Sequence, residues 1–302
     1  MRKVFLAFAL CLSASAFAQV LNVGSVEKVN IPANPAAKVA AISPQGDYLL
    51  LTTDYNKGLT KFDLATNAQT TLTDAQGAGY DVKISQDGQN VVYREKSFGT
   101  NKLSHTSLNV VSVATGAKRN LVAATRDLQG VAVEQATVAA VNGGRMSAKA
   151  LGAEKAQVTV PVLSINNRNL MITRGGKTKK FNPNGDQLSY LWPSVSPDGT
   201  KALYYVAGKG TFVCNLDGTS LKHIGSFRAP KWYDNEIVLG MNDEDDGEFI
   251  YASTIVAANL NGQQQVLTDG SVIAMYPQAS ASSGKIAFST PAGEAYIINV
   301  TK

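Results

Sequence analysis

Four stretches of this chain restate one pattern, and that repetition limits the folds open to it. The clearest runs Ser196-Pro197-Asp198-Gly199, Lys201-Ala202-Leu203-Tyr204-Tyr205-Val206, Thr211-Phe212-Val213-Cys214 and Asn215-Leu216-Asp217-Gly218. Ser43-Pro44-Gln45-Gly46 before Tyr48-Leu49-Leu50-Leu51 repeats its opening, as does Ser85-Gln86-Asp87-Gly88 before Asn90-Val91-Val92-Tyr93. Ser282-Ser283-Gly284 before Lys285-Ile286-Ala287-Phe288 is the fourth copy. A unit of several short strands recurring at roughly 40 residues is the signature of an all-β propeller. Each blade of such a ring is a four-stranded antiparallel meander, a-b-c-d, running outward from the axis.

The Ser-Pro-Asp-Gly element reads as the a–b turn, since proline presets φ and Asp-Gly supplies the tight bend. The apolar run after it reads as strand b, covered on both sides by neighbouring blades. Asn215-Leu216-Asp217-Gly218 is then the c–d turn, echoed at Ala65-Thr66-Asn67, Ala114-Thr115-Gly116 and Asn259-Leu260-Asn261-Gly262. Tyr233-Asp234-Asn235-Glu236 occupies the a–b turn of a diverged unit, and Ser280 opens the last. The long interval between Ser85 and Ser196 holds two further short units. One is the hairpin of Thr137–Val141 and Met146–Ala150 around Gly143-Gly144, and the other runs from Ser164 to Asn182-Pro183-Asn184-Gly185. The count is seven blades, or six if one hairpin is an insertion. Only three strands fit after Ser280, so residues 21–30 are expected to pair with 294–300 and close the ring, which removes an open sheet edge.

Residues 1–18 read as an export signal. Arg2 and Lys3 form a positive start, Val4 to Leu12 an apolar core, and Ala16-Phe17-Ala18 a cleavage site, leaving residues 19–302 as a single domain. No run has the roughly 20 apolar residues of a membrane-spanning helix. The formal net charge of +5 falls to +3 without Arg2 and Lys3, and no basic stripe suggests nucleic acid. Beyond the leader only Cys214 remains, in an apolar strand, where a small buried hydrophobe is expected. These features suit a periplasmic or secreted protein.

The turn, the apolar strand b and the c–d turn are similar to the PD40 (WD40-like) repeat of TolB-type propellers. The resemblance covers the whole chain after the leader and is best over residues 192–226. It implies the propeller alone: no residues remain for the N-terminal domain of TolB-type proteins. The related peptidases add a hydrolase domain with a Gly-x-Ser-x-Gly elbow, and this chain has no such pentapeptide. A fold of this kind hosts many functions.

Catalytic equipment is sparse. His105 and His223 are the two histidines, each in a context suited to a surface or strand edge, and no cluster has metal-ligand spacing. The acidic run Asn242-Asp243-Glu244-Asp245-Asp246-Gly247-Glu248 could hold Ca²⁺ through Asn242, Asp243, Asp245 and Asp246. It lacks full EF-hand spacing and reads first as a solvated b–c loop. No other cofactor is expected.

In an antiparallel meander the b–c loops and d–a links share one side. That side carries Asp54–Lys57, Arg94–Lys102 and Asn242–Glu248, and the links add Tyr80, Asp81, Trp192, Arg228 and Tyr276. Long loops beside the minimal Gly143-Gly144 and Gly175-Gly176 turns give a tall flank and a low one. Tyr55, Arg94, Phe98, Trp192, Arg228 and Tyr276 are the candidate anchors, though Trp192 and Tyr276 could instead plug the channel. The reading is an exported, non-catalytic propeller that binds a protein or envelope glycan through this face. The alternatives are a small-ligand or carbohydrate-binding propeller, and a lyase or glycosidase using paired carboxylates.

Overall fold

The repeat pattern closes into a ring of seven antiparallel sheets. The structure, a computed structural model, describes residues 19–31, 38–152, 156 and 161–302. The export signal expected at 1–18 lies outside these residues. Each sheet is a blade, with its first strand innermost. Blades 1 (Lys38–Thr73), 2 (Lys83–Thr125), 5 (Tyr190–Gly225) and 6 (Arg228–Val266) contain four strands each. Blades 3 (Leu128–Ala150) and 4 (Val162–Lys180) have three strands among the described residues. Blade 7 combines Met275–Ser280, Lys285–Ser289 and Ala295–Thr301 with the N-terminal strand Asn22–Lys28.

That last pairing is the expected closure. Asn22 sits opposite Thr301 and Lys28 opposite Tyr296 in antiparallel register. The segment before it is clasped as well. The backbone N–H groups of Val20 and Leu21 donate to Gln265 Oε1 of blade 6 at 2.7 and 2.8 Å, and Gln265 Nε2 donates back to Leu21 O. Leu21 is buried between blades 6 and 7.

The a–b turns work as their residues require. The Gly46, Gly88 and Gly199 N–H groups donate to the Ser43, Ser85 and Ser196 carbonyls at 2.8–2.9 Å, and each glycine has φ between 65 and 74°. Ser196 Oγ accepts from Lys201 N at 2.9 Å and donates to the Asp198 carboxylate, and Ser85 and Asp87 repeat the arrangement.

Seven apolar clusters hold the ring together, one at each blade interface. Most join long side chains, such as Leu49 and Phe62 with Ile297 between blades 1 and 7. The seam between blades 3 and 4 is the smallest, built on Ala139, Val141 and Val162. Cys214 lies in the blade 4–5 cluster, and burial pushes its thiol up to about 11.

One recurrent feature had no counterpart in the sequence reading. The innermost strand bulges at the same place in several blades, with a register shift between Leu191 and Ser194, Arg228 and Lys231, and Met275 and Gln278. Trp192, Ala229 and Tyr276 sit there at φ 47, 48 and 55°, each just before a proline, and Asp81 takes the matching place in blade 2 at φ 51°. A bulge re-aims side chains locally, and here it recurs on the innermost strands, with Trp192 and Tyr276 partly exposed and Ala229 buried.

Candidate binding face and central channel

The side bearing the b–c loops is uneven, as the loop lengths implied. In blade 2, strands Asn90–Phe98 and Ser104–Ser112 rise as a long hairpin, and Ile237–Asp245 with Ile250–Asn259 does the same in blade 6. Blades 3 and 4 turn back at once through Gly143-Gly144 and Gly175-Gly176. Residues expected as loop therefore belong in part to strands: Arg94–Phe98 and Asn242–Asp245 continue the ladders. The tall flank is two hairpins standing on opposite parts of the ring.

The candidate anchors do not form one patch. Tyr55 lies in a single 3-10 turn, Asp54–Asn56, and is 88% exposed. Phe98 ends the blade 2 hairpin and is 66% exposed, with Lys96 Nζ over its ring at 5.9 Å. Trp192 and Tyr276 are partly exposed, and Trp192 packs edge-on against Tyr205 at 5.4 Å. Four exposed side chains join them that the list of anchors omitted: Tyr80, Leu103, Phe249 and Tyr251. The signal for the last two was present, because Phe249-Ile250-Tyr251 alternates directly after the acidic run.

Arg94 is not an exposed anchor. It is 8% exposed, because strand parity puts it on the side of Val92, which packs toward blade 3. Its Nη1 donates to Asp81 Oδ2 at 2.8 Å and its Nη2 to Gln129 O of blade 3 at 3.4 Å. Tyr80 covers the guanidinium at 5.7 Å. Burial would push the Asp81 carboxyl up, but the charges of Lys83, Arg94 and Lys231 override it and hold the group at about 2.

Arg228 is half-exposed and organises the acidic run. Its Nη1 donates to Asp243 Oδ2 at 2.6 Å and to Asp245 Oδ2 at 2.9 Å. The Asp243 side chain is 1% exposed. Burial raises its pKa, Arg228 opposes that rise, and Asp245 adds to it. Asp246 instead caps its own turn, accepting from Glu248 N and Phe249 N at 2.9 and 2.8 Å, while Asn242 is exposed. The four residues considered for Ca²⁺ thus point to different tasks, two of them serving a guanidinium. Among the described residues, no three His, Cys, Asp or Glu side chains are grouped to hold a metal.

His105 and His223 lie on different blades, 2 and 5. His105 Nδ1 is 3.0 Å from Leu103 O, and His223 packs at a tilt against Phe212 with ring centroids 5.0 Å apart. Among the described residues no helix is long and apolar enough to cross a membrane.

No protein-family model matches the sequence, and the curated proteins yield no match. Solved structures do resemble the fold. A putative TolB from Agrobacterium tumefaciens aligns with a TM-score of 0.58 at 16% identity, over 94% of this chain and 100% of that one. The Myceliophteria thermophila Cps50 (Swd1) β-propeller domain aligns at 0.60 and 11% identity, over 92% and 100%. A chain of the Mitotic Checkpoint Complex aligns at 0.59 and 11% identity over the whole of both chains. At such identities the likeness is one of fold: this chain is a seven-bladed β-propeller.

Proposed function

We propose that this protein is an exported, non-catalytic propeller that captures a protein partner on the face formed by its b–c loops and d–a links. One observation carries the reading. Every exposed aromatic side chain among the described residues, Tyr55, Tyr80, Phe98, Trp192, Phe249, Tyr251 and Tyr276, belongs to that face. Scattered apolar residues are ordinary on a protein surface, but a one-sided aromatic set is the composition of interface anchors.

Charge adds a direction. The blade 2 hairpin exposes Lys96 and Lys102 near its tip, whereas the blade 6 hairpin exposes Glu244, Asp245, Asp246 and Glu248. A partner lying across both would present acidic groups to blade 2 and basic groups to blade 6, which fixes its orientation more than its affinity. The propeller chain in the Mitotic Checkpoint Complex is a precedent for this fold within an assembly. Export rests on the leader pattern at residues 1–18.

The test is co-purification from native envelope extract, using the wild-type protein and the variant Tyr55→Ala/Phe98→Ala/Phe249→Ala. The account predicts a stoichiometric partner on the wild type and loss of it on the folded triple variant. Equal recovery on both would contradict it.

A further inference from the structure

The innermost strands leave a charge imbalance in the central channel. Asp81 and Lys83 come from the start of blade 2, and Lys231 comes from the innermost strand of blade 6, far around the ring. Lys83 and Lys231 occupy one repeat position, two residues before the turn residues Ser85 and Tyr233, where blades 1, 5 and 7 carry Ala41, Ser194 and Gln278. Lys83 Nζ donates to Asp81 Oδ1 at 2.6 Å, and Arg94 Nη1 donates to Oδ2 at 2.8 Å. Both carboxylate oxygens are therefore engaged.

Lys231 reaches the same group, since its charge acts on both Asp81 and Lys83. Its ammonium nevertheless has no hydrogen-bond or ion-pair partner among the described residues. Burial lowers its pKa, the Lys83 charge lowers it further, and Asp81 offsets only part of this. Three cations thus face one carboxylate. An unpaired ammonium in a half-buried setting is costly unless something accepts from it.

We propose that the central channel binds a small oxyanion, a carboxylate or phosphate group, between Lys231 of blade 6 and the Lys83–Arg94 pair of blade 2. Asp81 is a positioning residue: its two carboxylate oxygens hold Lys83 and Arg94 side by side. The oxyanion restores the charge balance and gives Lys231 a charge-assisted hydrogen bond, the stronger kind. This site is separate from the aromatic face.

The experiment is thermal unfolding and calorimetric titration of the mature protein at pH 7 with inorganic phosphate and, separately, malonate. Each runs up to about 10 mM at constant ionic strength in chloride, because ligand that binds only the folded state raises Tm. The expected result is a saturable rise in Tm for the wild type with at least one anion, and about tenfold weaker binding or none in Lys231→Met. Lys231→Arg should retain the response, and Tyr55→Ala/Phe98→Ala should respond as the wild type does. A response to phosphate alone assigns the site to phosphate groups, and one to malonate alone to carboxylates. If Lys231→Met does not fold, Lys83→Met supplies the same comparison. No saturable rise with either anion, or an equal rise in the lysine variant, overturns the proposal.

Discussion

Arg94 donates to Asp81 at 2.8 Å, tying strand b of blade 2 to the segment that enters its innermost strand. Blade 6 makes the same kind of link with the polarity reversed, Arg228 on the innermost strand donating to Asp243 on strand b at 2.6 Å. These are the two blades whose hairpins stand highest, so each tall hairpin is anchored at its base by a guanidinium–carboxylate pair. In blade 2 the guanidinium is the buried partner, and removing its carboxylate strands it.

Asp81→Asn should therefore destabilise the protein by about 2–3 kcal/mol at pH 7, less than the roughly 3–5 kcal/mol of a fully buried pair because the Asp81 side chain is 32% exposed. The sign of its pH dependence follows from a folded-state value near 2, below the ordinary carboxylate value of about 3.9. The contribution is complete above that ordinary value and is lost as pH falls toward 2. Urea unfolding at pH 7, 4 and 2.5 should show the gap between wild type and variant shrinking across the lower interval. A constant gap would mean that the charge of Asp81 is not what stabilises.

The ring closure offers a second test. Gln265 accepts from two backbone N–H groups and donates to one carbonyl at the start of the N-terminal strand. Gln265→Ala should cost about 1–2 kcal/mol. Deleting residues 20–28 should do far more, because it strips the outer strand from blade 7 and exposes an edge. Size-exclusion chromatography should then report aggregation, whereas a monomer with unchanged Tm would contradict the closure.

Gly240 sits under Phe227, and a Cβ built there would come within 2.1 Å of the ring's Cδ2. Phe227 is fully buried between blades 5 and 6, so the ring cannot swing aside. Gly240→Ala should lower stability by about 2–3 kcal/mol through overpacking, measurable as a fall in Tm. The same change at Gly208, which has open space around it, should cost less, through its positive φ alone.

The seam between blades 3 and 4 should open first. Its cluster rests on Ala139, Val141 and Val162, whereas the blade 6–7 seam includes Leu239, Met241, Ile255, Phe288 and Ile298. Local opening follows the buried apolar contact that resists it. Native-state hydrogen exchange should show the amides of Thr137–Asn142 exchanging faster than those of Ile237–Met241. The reverse order would count against apolar packing as the determinant.

Blade number, turn positions and ring closure were legible because they depend on local chemistry repeated in sequence. Ser196-Pro197-Asp198-Gly199 encodes its own turn, and counting such turns gives the ring. The channel was not legible, because it depends on which residues meet around the axis. Lys83 and Lys231 share a repeat position visible in the sequence, but nothing local says that their charges interact. Arg94 was misjudged for a related reason: Arg94-Glu95-Lys96 is polar and reads as loop, yet the strand runs on to Phe98 and its alternation turns Arg94 inward. The bulge before Pro193, Pro230 and Pro277 was a readable signal, an X-Pro pair at a fixed distance ahead of each turn.

The account's central claim is that recognition belongs to the aromatic face, and site-specific photo-crosslinking tests it most directly. A photoreactive residue would replace Phe98 on the blade 2 hairpin or Asn235 in the opposite blade 6 turn, each in an otherwise wild-type chain exposed to native extract. The predicted result is a discrete adduct, a single partner, from position 98 and none from position 235. Adducts from position 235 alone, or the same adduct from both positions, would contradict the assignment of the binding face.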